Sequence, residues 1–223
     1  MRKYFFDENY FETIDNEKKA YWLGFITADG SITSSNKETK SLRLRINIHE
    51  RDKSILEMLK NDLNATVVIK HFISKGDRNY RDSPQVKIEL NSNKLCEDLI
   101  RHGLCQNKTY GFELPQLKTK YIRHYLRGYF DGDGHVGFVE RKNSDKTRFN
   151  FEIVSKTIKI LQYFQTELQK YNIKINIYQR KSNGMFRLMT ASKKEGLKLF
   201  HYLYDNSYTY IKRKHDVFCD IAV

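Results

Sequence analysis

Several things are scarce in this sequence of 223 residues. It has three cysteines, Cys96, Cys105 and Cys219, in no metal-ligand spacing, and the odd count suits a reducing compartment rather than a disulfide framework. It has two prolines, Pro84 and Pro115, and no low-complexity stretch, so no long disordered arm is expected. No run of about 18 apolar residues occurs, which excludes a membrane-spanning helix. The start, MRKYFFDENYFE, has no apolar stretch of signal-peptide type. An intracellular, non-secreted protein is expected, cytoplasmic or in an organellar matrix. Acidic residues are also short: 27 Asp and Glu face 40 Lys and Arg, for a net charge of +13. That excess points to polyanions, nucleic acid before acidic membrane. Aromatic residues, at 13%, are too many for a disordered basic tail.

What is present is a repeat. Residues 21–30 read YWLGFITADG and residues 125–134 read YLRGYFDGDG. The register continues, because RLRINIHERDKSILEMLKNDL from Arg43 matches RFNFEIVSKTIKILQYFQTEL from Arg148. VKIELNSNKLCEDL from Val86 likewise matches FRLMTASKKEGLKL from Phe186. The chain therefore reads as two copies of one unit of roughly a hundred residues, 1–114 and 115–223, joined near Pro115. Each copy has the order αββαββα, an α+β fold, and a last helix is expected at about 208–220. Helices over about 16–29 and 120–133 are expected to start at Asp15 and Thr119 and to stop at Gly30 and Gly134.

The strands alternate. Leu42, Leu44, Ile46 and Ile48 oppose Arg43, Arg45, Asn47 and His49; Val86, Ile88 and Leu90 oppose Gln85, Lys87 and Glu89. In the second copy Phe149, Phe151 and Ile153 oppose Arg148, Asn150 and Glu152. Ile173, Ile175 and Ile177 oppose Lys174, Asn176 and Tyr178. Such a period gives each sheet one buried and one wet face. The wet faces carry the residue types that contact phosphates and base edges. Arg43, Arg45, Asn47, His49, Gln85, Lys87, Arg148, Asn150, Lys174, Asn176, Tyr178, Arg180 and Arg187 are the candidate DNA contacts. The seven histidines form no metal spacing and read as surface or DNA-face residues, and Trp22 reads as core. Lys212, Arg213 and Lys214 read either as a solvated helix end or as phosphate contacts.

In the first expected helix Gly24 and Ala28 are four apart, and Gly128 and Gly132 repeat this in the second. Small residues at that spacing let two helix backbones approach, which would bring Asp29 and Asp133 side by side at the helix ends. Carboxylates at helix C-termini are disfavoured unless a cation joins them, and two carboxylates with free carbonyls make a hard-oxygen site suited to Mg²⁺.

WLGFITADG (22–30) and LRGYFDGDG (126–134) resemble the paired signatures of the LAGLIDADG homing endonucleases in their single-chain form. NKTYGFELP (107–115) and YIKRKHDVF (210–218) add to the resemblance, which spans about Phe11 to Phe218. It implies two four-stranded antiparallel sheets forming a saddle on double-stranded DNA, with the signature helices as the central interface. It implies a monomer that cuts both strands of a long pseudo-palindromic target and leaves 3′ overhangs. Asp29 and Asp133 would bind metal with the carbonyls of Ala28 and Gly132. Mg²⁺ is the expected ion, Mn²⁺ a substitute, and Ca²⁺ an ion that binds without supporting efficient cleavage. Asn47 and Glu152, taken as paired late-strand positions, and the basic Lys87 and Arg187 would assist. The sixth signature position is Thr27 in one copy and Asp131 in the other, and Arg127 is expected on the outer side of its helix. A DNA-binding regulator on the same fold and an RNA-splicing maturase remain as alternatives. A free-standing or intron-encoded protein is expected rather than an intein.

Overall fold

The computed structural model describes residues 4–36, 41–76, 81–104, 113–141, 144–180 and 184–221. Cys105 and residues 107–112 of the NKTYGFELP segment lie outside them. The first unit runs α1 (Glu17–Asp29), β1 (Gly30–Asn36), β2 (Ser41–His49), α2 (Lys53–Asp62), β3 (Lys70–Ser74), β4 (Ser83–Asn91) and α3 (Asn93–Arg101). The second runs α4 (Thr119–Asp133), β5 (Gly134–Arg141), β6 (Ser144–Ser155), α5 (Ile158–Gln169), β7 (Asn176–Gln179), β8 (Phe186–Thr190) and α6 (Lys193–Tyr204). A terminal α7 (Lys212–Cys219) follows. Both sheets are antiparallel, with orders β1-β2-β4-β3 and β5-β6-β8-β7.

Local chemistry accounts for the helix ends. The α1 cap is Asn16, one residue after the expected Asp15, and its side chain accepts from the Lys19 amide at 3.0 Å. In α4 the cap position is Lys118, so Thr119 is the first helical residue. Gly30 and Gly134 do end their helices, but with φ of −79° and −81°, where any residue is comfortable. Space is what requires glycine there: a Cβ would lie 2.6 Å from the Ile26 carbonyl oxygen, or 2.1 Å from the Phe130 ring. Elsewhere asparagine makes the left-handed exits, with positive φ at Asn64 after α2, Asn172 after α5 and Asn206 after α6.

The inner sheet faces bury what the alternation assigned to them. Leu44, Ile46, Ile88 and Leu90 pack in the first unit with Ile55, Leu56 and Leu59 of α2. In the second, Phe149, Phe151, Ile153 and Leu188 pack with Leu161 and Phe164 of α5. Phe130 stacks on Phe151 at 4.6 Å, and Phe218 of α7 closes that cluster. Each such side chain contributes roughly 1.5–3 kcal/mol by burial. The strand expected from Ile173 begins only at Asn176. Ile173 and Ile175 are buried, but the intervening Lys174 amide donates to the Glu195 carboxylate at 2.6 Å instead of to a neighbouring strand. Among the described residues no helix is long and apolar enough to cross a membrane.

Candidate active site and nucleic-acid interface

Helices α1 and α4 meet backbone to backbone. A Cβ on Gly24 would lie 2.0 Å from the Tyr125 carbonyl oxygen, and one on Gly128 would lie 1.9 Å from that of Tyr21. A Cβ on Gly132 would lie 2.4 Å from the Ala28 methyl and 3.1 Å from Asp29 Oδ2. The bare α-carbon of Gly132 therefore makes room for the carboxylate of the other unit. Asp29 is half-buried and Asp133 exposed at the paired helix ends.

The recess beside Asp29 draws on both units. Asn47, His49 and Gln85 come from the first sheet, Asp52 from the start of α2, Gly132 from α4, and Arg213 from α7. Asp133 has a different neighbourhood. Burial, then the Asp133 carboxylate, pushes the Tyr129 hydroxyl above its ordinary range, and Ser155 also hydrogen-bonds to it.

The basic stretch 212–214 divides into three fates. Lys212 pairs with Asp216 in solvent at 2.6 Å. Arg213 makes a two-pronged ion pair across the units with Asp52, with contacts of 2.8 Å from both Nε and Nη2. Lys214 is 3% exposed, and its Nζ donates to the carbonyls of Phe130 at 2.9 Å, Asp131 at 2.6 Å and Gly132 at 3.3 Å. Burial pulls its pKa down to about 8, opposed by Asp131. A cation here answers the negative end of α4. Neither sequence reading of this cluster, solvated or phosphate-bound, anticipated a buried lysine.

Two further expectations need correction. Arg127 is not on the outer side of its helix; it is 1% exposed. It donates to the carbonyls of Thr209 and Leu203, both at 3.0 Å, and to His124 Nδ1 at 2.9 Å. His124 is consequently buried rather than a surface histidine; burial and then Arg127 pull its pKa down to about 3. Asp131 is buried as well and accepts from the Tyr21 hydroxyl at 2.7 Å, the Tyr204 hydroxyl at 2.8 Å and the Ile211 amide at 2.9 Å. Its counterpart Thr27 donates to the Leu23 carbonyl of its own helix at 2.7 Å and lies by the Tyr125 hydroxyl of α4.

The sheet register re-sorts the assisting residues. Gly30 lies opposite Ile46, and Gly134 opposite Ile153. Asn47 thus corresponds to Val154, and Glu152 to Arg45, so Asn47 and Glu152 are not paired positions. Lys87 and Arg187 do correspond, standing opposite Asn47 and Val154. Lys87 sits over the Phe72 ring at 5.3 Å. Glu152 is held by Arg180 at 2.7 Å and Arg187 at 3.5 Å, an ion-pair cluster on the sheet.

The wet face of the first sheet carries Arg43, Arg45, Asn47, His49, Gln85 and Lys87 across β2 and β4. Burial alone would raise the Glu89 carboxyl, but Lys70 and Arg45 hold it below the usual range. Arg43 also reaches Glu89, at 3.4 Å, so one carboxylate orders three cations. On the second sheet Arg148, Asn176 and Tyr178 are exposed, and Arg187 faces Tyr178. Asn150 has the expected orientation but is 8% exposed, and Lys174 lies outside the strands. Lys174 is nonetheless exposed, whereas Asn150 is covered.

Among the described residues no three His, Cys, Asp or Glu side chains come together as a metal cluster. A cation at Asp29 would find that carboxylate and the Gly132 carbonyl edge, both hard oxygens. Such a sparse set leaves positions for phosphate oxygen and water, the manner in which Mg²⁺ is usually bound. The residues present fit a hard divalent ion that the substrate helps to hold.

Comparison with known proteins adds three findings. Residues 22–112 match the family described as LAGLIDADG endonuclease, and residues 120–203 match that described as LAGLIDADG-like domain. No curated protein matches the sequence significantly. Solved structures of similar fold include the I-LtrWI LAGLIDADG homing endonuclease bound to target DNA, with a TM-score of 0.60 and 15% identity over 93% of this chain and 89% of that one. The LAGLIDADG meganuclease I-AabMI bound to uncleaved DNA has a TM-score of 0.59 and 16% identity over 93% and 90%. I-SmaMI bound to an uncleaved DNA target with calcium ions has a TM-score of 0.59 and 14% identity over 93% and 89%.

Proposed function

The chain belongs to the LAGLIDADG endonuclease family, and from that premise we propose that it is a site-specific homing endonuclease. It acts as a monomer on a long pseudo-palindromic DNA target, hydrolyses one phosphodiester of each strand and leaves short 3′ overhangs. The observation that carries this reading is the pair Asp29 and Asp133, set at adjacent helix ends by backbone contact at Gly24 and Gly128. The two basic sheet faces flank that pair.

In this reading the sheet arginines and lysines hold the DNA backbone and present side chains to base edges. Asp29 with the Gly132 carbonyl, and Asp133 with the Ala28 carbonyl, would hold Mg²⁺, or Mn²⁺ in its place. Such an ion would supply Lewis-acid stabilisation of the phosphoryl oxygens and lower the pKa of an attacking water. Asn47 and Gln85 flank Asp29 and orient water; the Lys214 cation lies against the Gly132 carbonyl, and against those of Phe130 and Asp131, and offsets negative charge on the Asp29 side. Ser155 and Tyr129 border Asp133. That both carboxylates are retained favours an enzyme over a regulator, and the reading places the protein where the DNA is, inside the cell.

The test compares the unmodified protein with Asp29→Asn and Asp133→Asn on one cognate target. Each variant should bind that target in Ca²⁺ with near-normal affinity and fail to break both strands in Mg²⁺. Normal double-strand cleavage by either variant contradicts the assignment.

A further inference from the structure

Beyond Tyr204 the chain leaves α6, passes the left-handed Asn206 and returns along α4 before entering α7. Two α4 side chains one helical turn apart tie down this strap. Arg127 takes the carbonyls of Leu203 and Thr209, and Asp131 takes the Ile211 amide and the Tyr204 hydroxyl. Both are almost completely buried. A third donor to Asp131, the Tyr21 hydroxyl, comes from the other unit. Two and three residues after Ile211 come Arg213, which grips Asp52, and Lys214, which caps the carbonyls of residues 130–132. The first signature helix has Leu23 and Thr27 at the matching positions, so it carries neither charge.

We infer that Asp131 is a positioning residue for one half-site only. By fixing the backbone at Ile211 it sets where the Lys214 ammonium and the Arg213 guanidinium stand beside Asp29. Its carboxylate, buried and held by three donors, has no part in the chemistry itself. The strand cut at Asp29 therefore depends on Asp131, whereas the cut at Asp133 does not. This rests on the endonuclease reading for its strand assignment, but not for the tether.

Asp131→Asn and Tyr204→Phe are compared with the unmodified protein, with Thr27→Val as a control. Amide exchange at Ile211, acylation of Lys214 by mass spectrometry, and cleavage of each separately labelled strand are measured. Asp131→Asn should speed exchange and acylation by about tenfold or more and slow one strand's cut by about tenfold, leaving the other strand and Ca²⁺-supported DNA affinity within about twofold. Tyr204→Phe, which leaves Asp131 two donors, should do the same to a smaller extent, and it carries the test if Asp131→Asn fails to fold. Thr27→Val should create no strand bias. Equal slowing of both strands, or Ile211 and Lys214 as protected as before, overturns the inference. If the unmodified protein cuts neither strand, the endonuclease reading falls, and unchanged protection then overturns the tether on its own.

Discussion

Gly128→Ala is the smallest perturbation that strikes the helix contact. The added methyl would sit 1.9 Å from the Tyr21 carbonyl oxygen, 2.8 Å from the Phe25 amide nitrogen and 2.9 Å from the Tyr21 carbonyl carbon. These are backbone atoms inside a second helix, so no rotamer change relieves the clash. Reaching ordinary contact requires the helices to separate by about 1.5 Å. Overpacking typically costs 1–3 kcal/mol where side chains can yield. Here they cannot, so about 3 kcal/mol or more is expected. For a chain of this size that lowers Tm by about 6–12 °C. Gly137→Ala is the matched control, because its nearest neighbour is the end of the His135 ring at 3.3 Å. Thermal unfolding by circular dichroism measures both. The same separation shifts Asp29 relative to Gly132, and a displacement of about 1 Å can cost a hundredfold in rate. An unchanged Tm for Gly128→Ala, or a loss no larger than that of Gly137→Ala, refutes the close-contact argument.

Further expectations follow from the same geometry. His124 is held neutral to about pH 3, whereas an unfolded histidine protonates near pH 6.5. The unfolded state thus binds more protons between those values, and stability falls as pH drops through that window. Glu17, 3.8 Å from Nε2, offsets part of this, leaving roughly 1–2 kcal/mol lost between pH 7.5 and pH 5. His124→Gln should remove that slope, as denaturant titrations at the two pH values will show; an identical slope refutes the assignment. Arg43→Ala should lower the salt dependence of DNA binding by about one unit of slope if the guanidinium meets a phosphate, or relax discrimination at one base pair if it reads a base. Binding measured at several salt concentrations decides, and no change in either excludes Arg43 from the interface. Arg213→Ala leaves Asp52, 7% exposed, without its inter-unit partner. Arg51, 3.9 Å from the same carboxylate, compensates only in part, so a loss of up to about 3 kcal/mol in stability is expected, and a neutral effect contradicts the bridge.

The parts of the fold legible in the sequence were those with a local or repeated signal. Alternation marked Leu44, Ile46 and Ile88 as inward, and they are buried. Gly24 and Gly128 revealed themselves by spacing, because a backbone contact leaves a small-residue imprint on both partners. The failures share another cause. Arg127, Asp131 and Lys214 are charged groups buried only because distant carbonyls, hydroxyls and amides meet them. Their donors and acceptors lie some eighty residues away, mostly on the main chain, and main-chain partners leave no residue type to read. The pairing of Asn47 with Glu152 failed because the alternation of similar residues is compatible with a slip of a residue or two, while the ladder anchored at Gly30 and Gly134 is not. Lys174 and Asn150 show that alternation gives a direction, not an exposure. A carboxylate can end a strand, and neighbours can cover a polar side chain.

Whether the protein is a site-specific endonuclease is decided by incubating it with a library of random-sequence plasmid inserts and the candidate genomic insertion site, in Mg²⁺ and in parallel in Ca²⁺, and sequencing the ends. Discrete ends with short 3′ overhangs at one extended sequence are expected in Mg²⁺ only, and none with Asp133→Asn. Tight sequence-specific binding with no cut in Mg²⁺ contradicts the endonuclease reading and points to a regulator or, if RNA competes, to a maturase.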